Sequence, residues 1–192
     1  MDIGKLQESA MRNPKEMAWL DVVNENFWWT NFISGIQFTF PGKGKNLSLS
    51  FKETLAMTDT GTSCTYFPTL IYEPIMTIFK ELVPGWFIDK YGDLGIPCAN
   101  IPELPKINFL YGGIWLEMSP EDYIIEFEGE CWACLGENVE DEYILLGDTF
   151  LRGWYSVHDH KNNRFGFVPH SESKKAAPVY GFKPEANLSG DD

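Results

Sequence analysis

The sequence predicts an all-β domain of strongly bent, packed sheets with one longer helix and short turns. Three observations predict it. Runs of β-branched and aromatic residues, which suit a pleated and half-buried surface, lie on both sides of a single helical window. That window, Thr69–Leu82, carries apolar residues at spacings of three and four, the helical period. Of 192 residues, 44 % are hydrophobic, 15 % aromatic and 22 % charged, a globular composition that excludes disordered, collagen-like and coiled-coil chains. A chain of this length buries a sizeable core, and one domain is expected.

Taken in order, residues 19–40 read as strands, with Val22, Val23, Trp29, Ile33, Ile36 and Phe38 among their apolar positions. Pro41, Gly42 and Gly44 then make a turn, and Leu47-Ser48-Leu49-Ser50-Phe51 alternates as a strand with one buried face does. Residues 55–58 form a further strand leading into Asp59. In the helical window Leu70, Ile71, Ile75, Ile78, Phe79 and Leu82 make the apolar stripe. Pro74 blurs its start, since proline is tolerated in a first turn but costs about 3 kcal/mol in a helix interior. Strands follow at Lys106–Tyr111, Ile114–Met118, 123–127, 143–146, 154–157 and 164–168, the last two joined by a turn at Asn162-Asn163. Residues 170–192 lose hydrophobic periodicity and are expected to be a mobile tail.

Charge narrows the partners. With 15 Lys and Arg against 28 Asp and Glu the net charge is −13, which repels phosphate backbones and anionic lipid, so neither nucleic acid nor membrane surface is expected. Asn31, Glu73, Lys80 and Glu126 break the most apolar stretches well short of the roughly 18 residues a membrane span needs. Lys5, Glu8, Arg12, Lys15 and Glu16 leave no apolar run near the beginning, so no signal peptide is visible.

The chemistry gathers at Asp59-Thr60-Gly61-Thr62-Ser63, between a short apolar strand and the helix. A carboxylate at a strand end, followed by a glycine for a tight turn and by hydroxyls within reach, can be held rigidly with one side open. Other candidates are poorer. His158 and His160 share one strand face at a metal-ligand spacing, but no cysteine or carboxylate cluster completes a site. Cys131-Trp132-Ala133-Cys134 has the spacing of redox and zinc sites but no second such pair and no βαβ setting. No cofactor or metal is expected. Asn46-Leu47-Ser48 and Asn187-Leu188-Ser189 match the N-glycosylation acceptor pattern.

A second segment, Leu145-Leu146-Gly147-Asp148-Thr149-Phe150, lies about eighty residues beyond Asp59 and is followed by His158-Asp159 and Asn162-Asn163-Arg164-Phe165-Gly166-Phe167. Together with residues 101–109, the Gly112-Gly113 turn and residues 116–124, this arrangement resembles the C-terminal lobe of the pepsin-like aspartic proteases. The resemblance implies one lobe of a bilobal all-β fold at residues 19–169, preceded by an extension or interlobe segment at 1–18. It also implies that Asp59 is one of two catalytic carboxylates and that Thr60 braces the two active-site loops. Gly61 is then the turn glycine, Thr62 the hydroxyl beside the outer carboxylate oxygen, and Ser63 a contact to substrate backbone. Leu145, Leu146 and Gly147 form the strand past which the loop is threaded. Cys98 and Cys131 correspond to the lobe's disulfide, leaving Cys64 and Cys134 as a second bridge or as thiols.

Such enzymes need a second lobe with its own Asp-Thr-Gly and a tyrosine-bearing flap, whereas this sequence holds one Asp-Thr-Gly. Two functions are therefore expected from the resemblance. The first is an aspartic endopeptidase acting on peptides or proteins, completed by the missing N-terminal lobe or by a second copy, with the isolated monomer inactive. The alternative is a catalytically inactive single-lobe module for peptide binding or a structural role. Family and cysteines together suggest a secreted or lysosome- or vacuole-like setting.

Overall fold

The computed structural model describes residues 4–23, 28–42, 44, 46–90 and 92–185. In chain order the strands and α-helices are β1 (Ala18–Asp21), β2 (Thr30–Thr39), β3 (Asn46–Thr58), β4 (Thr65–Pro68), α1 (Thr69–Leu82), β5 (Phe87–Ile88) and β6 (Leu94–Ile96). There follow β7 (Lys106–Tyr111), β8 (Ile114–Met118), α2 (Pro120–Tyr123), β9 (Ile124–Phe127), β10 (Glu130–Ala133), β11 (Leu135–Asn138) and β12 (Ile144–Leu146). The last are α3 (Asp148–Leu151), β13 (Trp154–Asp159), β14 (Arg164–Pro169) and β15 (Val179–Tyr180). The domain is mostly strand with one long helix, as the sequence implies.

Three sheets share one core. The largest runs β11-β4-β12-β3-β2-β7-β8-β15, the second β5-β6-β10-β9 and the third β1-β14-β13. Alternation sets their inner faces: along β2 and β7, Ile36, Phe38, Ile107 and Phe109 are wholly buried, while Gln37, Thr39 and Asn108 between them point the other way. Aromatic edges fill the middle, with Phe150 packed edge-on to Phe109 and Phe167 at centroid separations of 5.6 and 5.7 Å. Two buried phenols have acceptors inside the core, Tyr111 Oη donating to the Ala56 carbonyl and Tyr123 Oη to the Pro105 carbonyl.

Helix α1 has the bounds its apolar period predicts, and it buries Ile71, Ile75, Met76, Ile78 and Phe79. Leu70, read as part of that stripe, is 87 % exposed because it falls on the far side of the first turn. The helix continues through Pro74 and stops before Pro84 and Gly85, whose φ of +70° lies in the region glycine alone adopts freely. Residues 46–58, read as two strands, form one long strand, because β2 pairs with it on both sides of a bulge. At 120–123 the chain makes the short helix α2, with the Asp122 carboxylate accepting from both the amide and the hydroxyl of Ser119.

Residues 170–185, expected as part of a mobile tail, are docked on the domain. The Lys175 side chain is 3 % exposed and paired with Asp122, and its Nζ also donates to the Glu117 carbonyl at 3.0 Å. The Lys175 carbonyl accepts from Arg12, and β15 adds an edge to β8. Hydrophobic periodicity could not show this, since the attachment is a buried charge and a two-residue strand. The segment expected as an N-terminal extension also packs here, with Met11 bridged to His170. No helix among the described residues is long and apolar enough to cross a membrane.

Candidate active site

Strand order dictates the site. β12 lies between β3 and β4, parallel to the first and antiparallel to the second, so the connection from β3 to β4 must pass over the end of β12. That connection is the Asp59 loop. Its crossing point is Gly147, where a Cβ would collide with the backbone carbonyls of Thr62 and Cys64. Glycine is required there for close approach, not for its φ of −83°.

The loop is fixed from several sides. Asp59 N donates to the Leu146 carbonyl at 3.0 Å, Asp148 N to the Thr62 carbonyl at 2.8 Å and Thr149 N to the Ser63 carbonyl at 3.1 Å. Beneath it the hydroxyls of Thr65 and Thr149 meet at 2.9 Å in a buried pair. The structure thus brings Leu145, Leu146 and Gly147 against the segment from Asp59 to Ser63.

Within the loop the carboxylate of Asp59 is held at both oxygens. Oδ1 accepts from the Gly61 amide at 2.9 Å and Oδ2 from the Thr62 hydroxyl at 2.5 Å. Asp59 and Thr62 are half-buried, whereas Thr60, Gly61 and Ser63 are exposed, so the loop presents one open side. Upstream, Thr58 donates its amide to the Trp29 carbonyl at 3.2 Å. Tyr143 has its phenol raised above the usual tyrosine range, first by a hydrogen bond to Asp141 and then by burial and the negative charges of Asp141 and Asp59. Nothing local in the sequence marks Tyr143 as a neighbour of Asp59, because chain threading alone brings β12 there.

The cysteines pair as Cys98–Cys131 and Cys64–Cys134. The first matches the pairing implied by resemblance and closes a separation of 33 residues, worth roughly 4 kcal/mol in the chain-entropy picture. The second staples the residue after Ser63 to the junction of β10 and β11, where Thr65 N also donates to the Cys134 carbonyl at 3.1 Å. Cys131 and Cys134 therefore belong to different bridges and do not act as one CxxC pair. His158 and His160 do share a side, yet both rings pack on Trp29, at centroid distances of 4.7 and 4.6 Å. Burial against that ring, and then His160, keep His158 below the usual histidine range. No group of three or more His, Cys, Asp or Glu among the described residues could hold a metal ion.

Comparison with known proteins agrees with this geometry. Residues 3–170 match the family model described as eukaryotic aspartyl protease. The chain is 31 % identical over 162 residues to gastricsin of Suncus murinus and 32 % identical over 160 residues to gastricsin of Mus musculus, in each case covering 80 % of this chain and 38 % of the relative. It is 32 % identical over 114 residues to chymosin of Camelus dromedarius, covering 59 % of this chain and 28 % of that protein. The chain thus spans about two fifths of the length of the gastricsins it matches. A match over nearly the whole described domain, with a carboxylate loop threaded over a Gly147 strand end, means that this chain belongs to the eukaryotic aspartyl protease family.

Proposed function

We propose that this chain supplies one half of an aspartic endopeptidase, with Asp59 as one of the two carboxylates that activate water against a peptide bond. The observation that carries the reading is the restraint of Asp59 at both oxygens by Gly61 and Thr62, which orients the group and leaves one side of the loop open. A single carboxylate cannot serve at once as base and acid. Two of them about 3 Å apart cannot both ionise and so share one proton. The ionised member then takes a proton from water while the protonated one donates to the carbonyl that the water attacks.

In this reading Thr60 braces the facing loop, Ser63 contacts substrate backbone, and Leu145, Leu146 and Gly147 keep the loop in place. The second carboxylate comes from an N-terminal lobe or from another copy facing Asp59 across a two-fold axis. The monomer alone is inactive. Its substrates are peptides or proteins, and two disulfides favour an oxidising, secreted or lysosome- or vacuole-like compartment. The net charge of −13 disfavours nucleic acid and membrane partners.

One observation favours the alternative, an inactive single-lobe module. Ile33, Ile36, Phe38 and Phe40 are buried within this domain, so of the described aromatic stretch Trp28 and Phe32 are the large apolar side chains left exposed, at 59 and 38 %. A lobe lacking its partner would be expected to leave a wider apolar surface there. Titration with a statine-type transition-state analogue, combined with equilibrium ultracentrifugation, separates the readings. A dimer binding one inhibitor per two chains supports the two-fold enzyme, and acid peptidase activity on adding an N-terminal lobe supports the two-lobe one. A chain that stays monomeric at micromolar concentration, binds no inhibitor and gains no activity with that lobe is a module.

A further inference from the structure

Away from Asp59, the outer face of the largest sheet carries polar groups that the proposed chemistry does not use. Thr39 pairs with Asn46 on one side and with Lys106 on the other, while Gln37 pairs with Ser48 and Asn108, and Asn108 with Glu117. Opposed residues on neighbouring strands, and residues two apart on one strand, share a face, so all of these stand together opposite the core. Gln37 Nε2 donates to Ser48 Oγ, and Asn108 Nδ2 to Thr39 Oγ1 and the Gln37 carbonyl, each at 3.4 Å, while Lys106 Nζ pairs with Glu117 Oε2 at 3.1 Å. The face thus presents amide, hydroxyl and charged groups, the types that pair with a polar ligand. An open cleft of about 510 Å³ crosses this face, bounded by Trp115 and by Phe182 and Pro184 of the docked C-terminal segment.

We infer that Asn46 is an N-glycosylation acceptor and that the first sugars of its glycan lie in this cleft. Asn46-Leu47-Ser48 is the acceptor triplet, and Asn46 is exposed at the start of β3, beside Thr39 at the cleft margin. The lining suits a polyhydroxylated ring. Planar amides and the Lys106–Glu117 pair, 3.1 Å apart, take the hydroxyls, and the ring's C–H faces lie on aromatic surface.

In the transfer, Asn46 Nδ2 attacks the anomeric carbon of an oligosaccharide carried on a lipid diphosphate. The N–C bond forms, the C–O bond to the diphosphate breaks, the lipid diphosphate departs, and the amide gives up one proton. Ser48, whose hydroxyl the acceptor pattern requires, is 3 % exposed once β3 is formed, so transfer precedes folding. Two disulfides place that folding in an oxidising compartment. None of this rests on the protease reading.

The test is secretion of the full chain from a eukaryotic host behind an added leader, with peptide mapping after enzymatic glycan release, which converts a glycosylated Asn to Asp. Conversion at Asn46 is expected, lost in Asn46→Gln and Ser48→Ala, retained in Ser48→Thr, and unaffected by Asn187→Gln. In the glycoprotein, nuclear Overhauser contacts are expected between the N-acetyl methyl of the second sugar and the Trp115 indole. An unmodified Asn46 in folded, secreted chain overturns the inference, and a glycan without contacts to Trp115 overturns its placement in the cleft.

Discussion

Replacing Lys175 by Met tests whether the segment beyond β14 is a working part of the domain. The methylene stem and its packing over Trp154 are kept, while the ammonium that serves Asp122 and the Glu117 carbonyl is removed. Removing one partner of a buried ion pair costs about 3–5 kcal/mol, because the other charge stays buried and unpaired. Here the lower end applies, since the amide and hydroxyl of Ser119 still donate to Asp122 at 2.7 Å each. A loss of about 3 kcal/mol is a large share of the roughly 5–15 kcal/mol that holds a domain together, and it corresponds to about 10 °C in Tm at this size. Burial holds Lys175 below the usual lysine range despite Asp122, so the pair returns little beyond its own desolvation. The double variant Asp122→Asn/Lys175→Met should therefore recover most of the loss. Urea unfolding with both disulfides intact measures each quantity. A single-variant loss under about 1 kcal/mol, or a double variant no better than the single, would mean that the Lys175–Asp122 pair does not anchor the segment.

Asp59→Asn should lower the activity of a reconstituted enzyme by roughly a thousandfold or more while leaving Tm within a degree or two, and the wild-type optimum should be acidic; an optimum above about pH 8 contradicts the shared-proton pair. Gly147→Ala should cost at least about 2 kcal/mol and shift the backbone amide resonances of residues 59–63, because its methyl meets two carbonyls of the crossing loop. His158 titrates below the usual 6.5 in the folded chain, so the unfolded chain takes up its proton first and stability falls as pH drops through and below that value; His158→Gln should flatten this acid-side loss in a urea midpoint series.

Much of the fold is legible because its signals are local. The stripe Ile71, Ile75, Ile78, Phe79 specifies α1 from end to end, and the alternation in β7 and β8 gives both strands their bounds. What escapes has little local signal. β5, β6 and β15 are two or three residues long, too short for a period to register, and they exist because neighbouring strands offer open edges. The docking of residues 170–185 escapes for a related reason: its anchor, Lys175, has the residue type of a solvated surface and is buried only because Asp122 and Glu117 face it from α2 and β8. Composition in that stretch describes the unfolded chain's preferences and is silent on a partner fifty residues away.

The candidate site divides along the same line. The motif at 59–63 is local, and so are the two hydrogen bonds that hold its carboxylate, which a Gly and a Thr two and three residues on can supply in any tight turn. What separates this loop from a simple capped turn is the crossing over β12, and that depends on residues 144–149 arriving between β3 and β4. Gly147 is the residue that records the crossing in the sequence, since any side chain there would meet the carbonyls of Thr62 and Cys64. Cys64–Cys134 adds a covalent tie on the far side, and Thr65–Thr149 a buried hydroxyl pair beneath. Each of these contacts joins residues about seventy or more apart in sequence, so the rigidity of Asp59 belongs to the tertiary fold while its identity belongs to the motif. A turn with the same five residues but no strand passing beneath it would keep the Gly61 and Thr62 hydrogen bonds and lose the orientation of the loop as a whole.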